Sequence, residues 1–258
     1  MTRILAILLL IECVPLVQAA DDCLMSVDSY RAQSKKSAYL IIDTRSKLDY
    51  KKYWISGSVN FSSYTIKTKN YLRDKKLVLV NDGKNEESLV NLCQSLRKLQ
   101  FNDIHVLKGG LPAWRKSFGD MEGDRVAQLE LNTVSEKELY AIRNDPNWKL
   151  VSTQKQAGAF ASVTAAQGGK LLKNALFVKR EQKQKSFVKN IQQALGKGSQ
   201  VNNLVFTNKH EFEKAASLPL MKKYNIFYMQ NSMSNYVRYL GRYAGERKLV
   251  SNKRSQCQ

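Results

Sequence analysis

Histidine is almost missing from this chain: among 258 residues there are two, His105 and His210, one in each half. Neither has a second ligand at a recognisable spacing, so no metal site and no cofactor are predicted. Phosphate loops are missing too, since Gly109-Gly110 and Gly168-Gly169 are lone glycine pairs. No nucleic-acid motif is present, which excludes a specific nucleic-acid reader from the expected classes. Past the first 19 residues no stretch is apolar enough to cross a bilayer, which takes about 20 residues. Carboxylates are scarce beside cations, 22 against 42, for a net charge of +20. A balance that basic bears on partners and solubility, not on fold.

What is present begins with a leader. Arg3 precedes the apolar run Ile4 to Ile11, and Val17 and Ala19 stand at the −3 and −1 positions of a cut after Ala19. This layout predicts a secretory signal peptide over residues 1–19 and a periplasmic or secreted protein, with no membrane span once the leader is cut. A lipoprotein cut at Cys13 fits poorly, because Leu10-Ile11-Glu12 are not small. The cut removes Arg3 and Glu12 together, so the mature charge stays at +20. Such charge favours peripheral contact with an anionic envelope surface, against a plain reading as a solvated lysine-rich face.

Cys23, Cys93 and Cys257 follow the leader. An odd count outside the cytosol suggests one disulfide and one free thiol. Cys23 and Cys257 lie near the two chain ends, which often meet in space, so that pair is the expected bond. Leu89, Leu92, Cys93 and Leu96 fall on one helical face, which places Cys93 in a core as a small hydrophobe.

Between these cysteines the pattern alternates. Tyr39 to Ile42, Leu77 to Val80 and Ile104 to Leu107 read as buried strands. Glu86 to Leu99 and the segment through Trp114 read as helices. Alternating strands and helices imply an α/β domain with a parallel central sheet. Residues 119–132 mix glycine and charge without period and read as a linker. The order then repeats loosely. After a capped helix at Ser135 and Glu138, Trp148 to Val151 is a strand. Lys173 to Val178 can be set against Gly57 to Phe61, Asn203 to Thr207 against Leu77 to Asn81, and Ile226 to Met233 against His105 to Leu111.

Three ordered motifs carry a resemblance. Leu40-Ile41-Ile42-Asp43-Thr44-Arg45 is similar to the opening Asp-x-Arg strand of rhodanese-like domains. The stretch from Tyr50 to Phe61 resembles that family's Gly-His-Ile-x-Gly-Ala segment. Val106 to Trp114, with Gly109-Gly110, resembles its closing Gly-Gly-x-x-x-Trp element. The resemblance implies a rhodanese-like domain at residues 20–118, its sheet flanked by helices. It also implies a second, degenerate rhodanese-like α/β domain at 133–245, as in two-domain thiosulfate sulfurtransferases. A basic tail at 246–258 would follow.

Active members of that family carry a cysteine right after the central strand, in a loop of N–H groups that stabilises a thiolate and its persulfide. Here the loop is Asn81-Asp82-Gly83-Lys84-Asn85-Glu86, with Asn81 at the cysteine's place, or Asp82 if the alignment is shifted by one. The matching second loop, Thr207-Asn208-Lys209-His210, has no cysteine either. No side chain in either loop can hold a sulfane sulfur. The expected role is a catalytically degenerate binding or scaffold module for an unknown protein or anionic partner. Two alternatives stay open: a sulfurtransferase that uses a cysteine elsewhere, and a basic protein that binds polyanions or the envelope surface.

Overall fold

A computed structural model describes residues 23–35, 38–119, 121–153, 175–178, 184–196 and 201–242. In the first half, β1 (Leu24–Met25) leads into α1 (Val27–Ser34), β2 (Leu40–Asp43), α2 (Lys47–Lys52), β3 (Tyr53–Trp54) and β4 (Val59–Asn60). Then come α3 (Ser63–Thr68), β5 (Leu77–Val80), α4 (Glu86–Arg97), β6 (Ile104–Leu107) and α5 (Gly110–Phe118). The five-stranded sheet has the order β1-β6-β5-β2-β4, and every pair is parallel. Leu77, Val78, Leu79 and Val80 are all buried, because β5 sits mid-sheet with side chains packed on both faces. That explains their continuous apolar run.

The linker has structure of its own. β7 (Glu122–Gly123) pairs antiparallel with β3, and α6 (Arg125–Leu129) is capped by Asp124. Gln128 is fully buried, and its amide bonds both the N–H and the carbonyl of Met121. No periodicity announces so short an element, since its order comes from pairing with a distant strand.

The second half runs β8 (Thr133–Val134), α7 (Glu136–Ile142), β9 (Trp148–Thr153), β10 (Ala175–Val178), α8 (Gln184–Leu195), β11 (Asn203–Phe206), α9 (Lys209–Ala216) and β12 (Asn225–Met229). A last helix, α10, covers residues 233–242. Its sheet order is β8-β12-β11-β9-β10, again all parallel. Strand by strand this is the order of the first sheet. The chain is therefore two α/β domains of one topology, and the pairs of segments matched above in sequence are equivalent strands. The predicted capping box is present at Ser135 and Glu138. On α10, Met233, Tyr236 and Leu240 are buried while Arg238 and Arg242 are exposed, so the two arginines share a solvated face. Among the described residues no helix is long and apolar enough to cross a membrane.

The expected Cys23–Cys257 bond is not the one formed. Cys23 is joined to Cys93, with Cα atoms 6.3 Å apart, and both are fully buried. Cys257 lies outside the described residues. The reason is topological: β1 lies along β6, and the apolar face of α4 packs on β6. The start of the chain thus meets the helix face that carries Cys93. Cys93 is in the core as predicted, but as half of a disulfide.

The halves meet closely. The Lys116 ammonium donates to the carbonyls of Lys222 and Tyr224. Burial there, with Lys222 close by, holds its pKa below the ordinary lysine value. Asn132 donates to the Ile226 carbonyl at 2.8 Å.

Candidate functional site

The site is built at the carboxyl edge of β5. Asp43, at the end of β2, receives Nε and Nη2 of Arg45 at 2.8 to 3.1 Å and the Arg45 backbone N–H at 3.0 Å. Arg45 Nη2 also donates to the Tyr53 carbonyl at 2.7 Å, and its guanidinium lies over the Tyr53 ring. The ion pair is almost sealed, with side-chain exposures of 6% for Arg45 and 1% for Asp43. A desolvated pair survives only with such geometry. Asn60 donates to the carbonyls of Asp43 and Arg45, both at 2.9 Å. The Asn60 amide is thereby committed to the fold.

Next to this brace lies the loop Asn81–Asn85. Asn81 Oδ1 accepts the Gly83 N–H at 2.9 Å, and Asn81 Nδ2 donates to the Asn85 carbonyl at 3.1 Å. Asp82 Oδ1 accepts the Lys84 N–H at 3.1 Å. Asn85 caps α4 by accepting the Ser88 N–H. Two loop N–H groups are thus taken by side chains of the loop itself.

The Gly109-Gly110 turn locks the loop from outside. Glu86 accepts the Gly109 N–H at 2.7 Å, and Leu111 N donates to the Asn81 carbonyl at 2.9 Å. Gly83 and Gly110 both have positive φ, +77° and +54°. A Cβ on Gly110 would stand 2.5 Å from the Asn81 oxygen, and one on Gly83 would stand 2.7 Å from the Gly109 oxygen. These glycines are set by close backbone approach and need do no chemistry. Trp114, beyond the turn, packs on Tyr30 of α1 with ring centroids 5.4 Å apart.

The loop opens into a cleft of about 580 Å³ lined by both halves. Lys84 reaches across to Glu138 of the second half at 2.8 Å and lies 3.8 Å from Asp82. Burial pushes the Asp82 carboxyl above its ordinary range, and Lys84 with its N–H offsets this only in part. Burial also pushes Glu138 up, but the Lys84 ammonium and the bonds from Lys84 and Ser135 outweigh it, and its pKa is lowered. Glu138 thus serves as the capping carboxylate of α7 and as the ionic strut between halves. Its sequence shows only the first role.

The second loop does not join this site. Two residues, Thr207 and Asn208, connect β11 to α9. Thr207 is buried, with its N–H on the Val151 carbonyl. Asn208 caps α9 by accepting from Glu211 N. Lys209 and His210 are exposed on the helix. A connection this short leaves no cradle. Among the described residues no cluster of His, Cys, Asp and Glu could hold a metal ion.

Residues 26–117 match the family model of the rhodanese-like domain. No curated protein matches the chain. Among solved structures, a rhodanese-related protein from Thermoplasma volcanium is 21% identical over 38% of this chain and 95% of its own, with a TM-score of 0.32. The 3-mercaptopyruvate sulfotransferase SseA from Escherichia coli is 14% identical over 81% of this chain and 98% of its own, with a TM-score of 0.33. A thiosulfate sulfurtransferase from Pseudomonas aeruginosa is 13% identical over 82% of this chain and 41% of its own, with a TM-score of 0.34. The match to the rhodanese-like family model thus covers the first α/β domain, and the second half of the chain repeats that domain's sheet order.

Proposed function

We propose that this chain is a catalytically degenerate, extracytoplasmic rhodanese-like protein that acts as a binding or scaffold module. The observation that carries this reading is the loop after β5. Its cysteine position is Asn81, and the Asn81 and Asp82 side chains accept the N–H groups of Gly83 and Lys84. A persulfide needs a thiol; the loop has none, and two of its N–H donors are already taken. Asp82 and Glu138 add negative charge where an anionic sulfur donor would dock.

The sulfurtransferase alternative needs a thiol elsewhere. Cys23 and Cys93 are bonded to each other and fully buried, so neither is a nucleophile in this state. A buried disulfide also supports an oxidising compartment, in keeping with the leader at residues 1–19. The deciding experiment loads the chain from Ala20 with thiosulfate and measures cyanide-releasable sulfur beside an active rhodanese. Background levels are expected. Stoichiometric loading with turnover would overturn the reading and direct attention to Cys257.

The net charge of +20 and the exposed Arg238 and Arg242 support a second reading, peripheral binding to anionic envelope polymers or lipid. It predicts vesicle binding that is lost with modest salt, because exposed charges are screened over about 10 Å at 0.1 M.

A further inference from the structure

A second cavity, of about 320 Å³, is also lined by both halves and shares no residue with the cleft at the loop. Its size lies in the range of small-ligand pockets. Its wall is apolar. Pro112 of α5 comes from the first half, and Phe212, Met221, Tyr224 and Ile226 come from the second. Pro112, Met221 and Tyr224 are buried, so packing fixes the wall. Phe212 lies on α9 with its ring centroid 4.8 Å from that of Tyr228. The polar residues beside this wall are held as well. Asn132 donates to the Ile226 carbonyl, Asn225 to Asn203, and Arg115 to the Gln128 carbonyl at 2.7 Å.

Charge is the second observation. Arg115, Lys116 and Lys222 line the cavity, and none of its lining residues is acidic. The Lys116 ammonium donates to the carbonyls of Lys222 and Tyr224. Carbonyls supply partial negative charge only, and an ammonium has three N–H groups, so one is left over. Burial, and then repulsion by the nearby Lys222 ammonium, lowers the Lys116 pKa. Among the described residues neither lysine is paired with a carboxylate. The other lysine at the junction is matched, since Lys84 meets Glu138. Two facing cations, one of them partly desolvated, are stabilised by an opposite charge between them. The apolar wall beside them favours an anion with an apolar body.

We propose that this cavity binds a small organic anion, a carboxylate on a flat apolar body of one or two rings. The carboxylate accepts the remaining Lys116 N–H and faces Lys222. The ring body lies against Pro112, Phe212 and Met221. Bound in this way, the ligand touches both halves and ties them together. The proposal goes beyond the binding-module reading and does not rest on it. Sulfur loading at the loop would defeat that reading and leave this site standing.

The test is isothermal titration calorimetry of the chain from Ala20 at 0.15 M salt. The probes are 2-naphthoate and 2-naphthylmethylammonium, which share a ring body and differ in charge. One naphthoate per chain should bind, and the ammonium should not. Lys222→Gln removes one exposed cation and keeps the backbone carbonyl that Lys116 uses. It should weaken naphthoate binding about fivefold, at a melting temperature no lower than the parent's, because a repulsion is removed. Arg238→Gln removes equal charge from α10, which packs on the opposite face of the second sheet, and should leave naphthoate binding unchanged. Absence of saturable naphthoate binding overturns the proposal, as does equal binding of the ammonium or an unchanged affinity in Lys222→Gln. Equal losses in Lys222→Gln and Arg238→Gln also overturn it, since the net charge of +20 would then attract the anion without a site.

Discussion

Removing the Cys23–Cys93 bond should cost more than any single surface change, and its size follows from the chain. The bond closes a loop of 70 residues. The loop-closure entropy for that length gives about 4 kcal/mol at 25 °C, with the mechanism model-dependent. At a urea slope of about 2 kcal/mol per molar, the midpoint of the first domain falls by roughly 2 M on reduction. Both cysteines are fully buried, so dithiothreitol reaches them only through opening of the domain, and native-state reduction should be slow. The assay is urea unfolding of the oxidised chain and of chain reduced while unfolded, with intact mass to record the thiol state. A Cys23→Ala, Cys93→Ala variant should match the reduced chain or fall below it, because two small voids are added. The bond joins the edge strand β1 to α4, so amide exchange should rise along α4 in the reduced form. Equal midpoints for the oxidised and reduced forms would refute the reasoning. So would peptide mapping that links Cys23 to Cys257.

Further outcomes are expected at the ion-pair brace, the glycine turn and the bridge between halves. Asp43→Asn leaves the Arg45 guanidinium buried and uncompensated, which should cost about 3–5 kcal/mol by urea melts, and Arg45→Lys should lose the paired geometry as well. Gly110→Ala places a Cβ 2.5 Å from the Asn81 oxygen and 2.7 Å from Gly83 N, both backbone atoms, so the loop must shift. Overpacking and the left-handed conformation together predict a loss of about 2–4 kcal/mol, measured the same way. Asp82→Asn keeps the acceptor for the Lys84 N–H and removes a desolvated charge. The folded pKa of Asp82 is raised, so its contribution favours folding below the unfolded-state value and is lost as pH rises through the folded one. The variant should therefore melt higher than the parent at pH 7, and the gap should close toward pH 4. Glu138 has the opposite sign, since its lowered pKa makes a contribution that is lost as pH falls. A Glu138→Gln chain should be less stable at pH 7 and approach the parent in acid.

Much of the fold was legible because it is written in local patterns. The strands β2, β5 and β6, buried except at Leu40 and His105, show as apolar runs, and α4 shows as an apolar stripe through Leu89, Leu92, Cys93 and Leu96. The second domain was legible as an order of strands, for the same reason. The short elements were not. β1, β3, β7 and β8 are two residues each, and a two-residue strand has no period to read. Their existence depends on partners far along the chain: β1 on β6, β3 on β7, β8 on β12. The disulfide was misread for the same cause, since the position of β1 decides which cysteine Cys23 can reach.

The loop after β5 holds its backbone with its own side chains. The turn needs a left-handed residue at Gly83, a close approach at Gly110 and acceptors for its inward N–H groups. A thiolate is one such acceptor; the amide oxygen of Asn81 and the carboxylate of Asp82 are others. That no cysteine stands in the loop is visible in the sequence, because it is a matter of residue type. That two loop N–H groups are filled from within is a matter of side-chain direction, and only the structure shows it. The cleft is harder still to read, since it joins Asp49 and Asp82 of one domain to Glu138 of the other. In sequence those carboxylates are scattered through a basic chain. The docking of the halves brings them to one cleft, where Lys84 bridges Asp82 and Glu138.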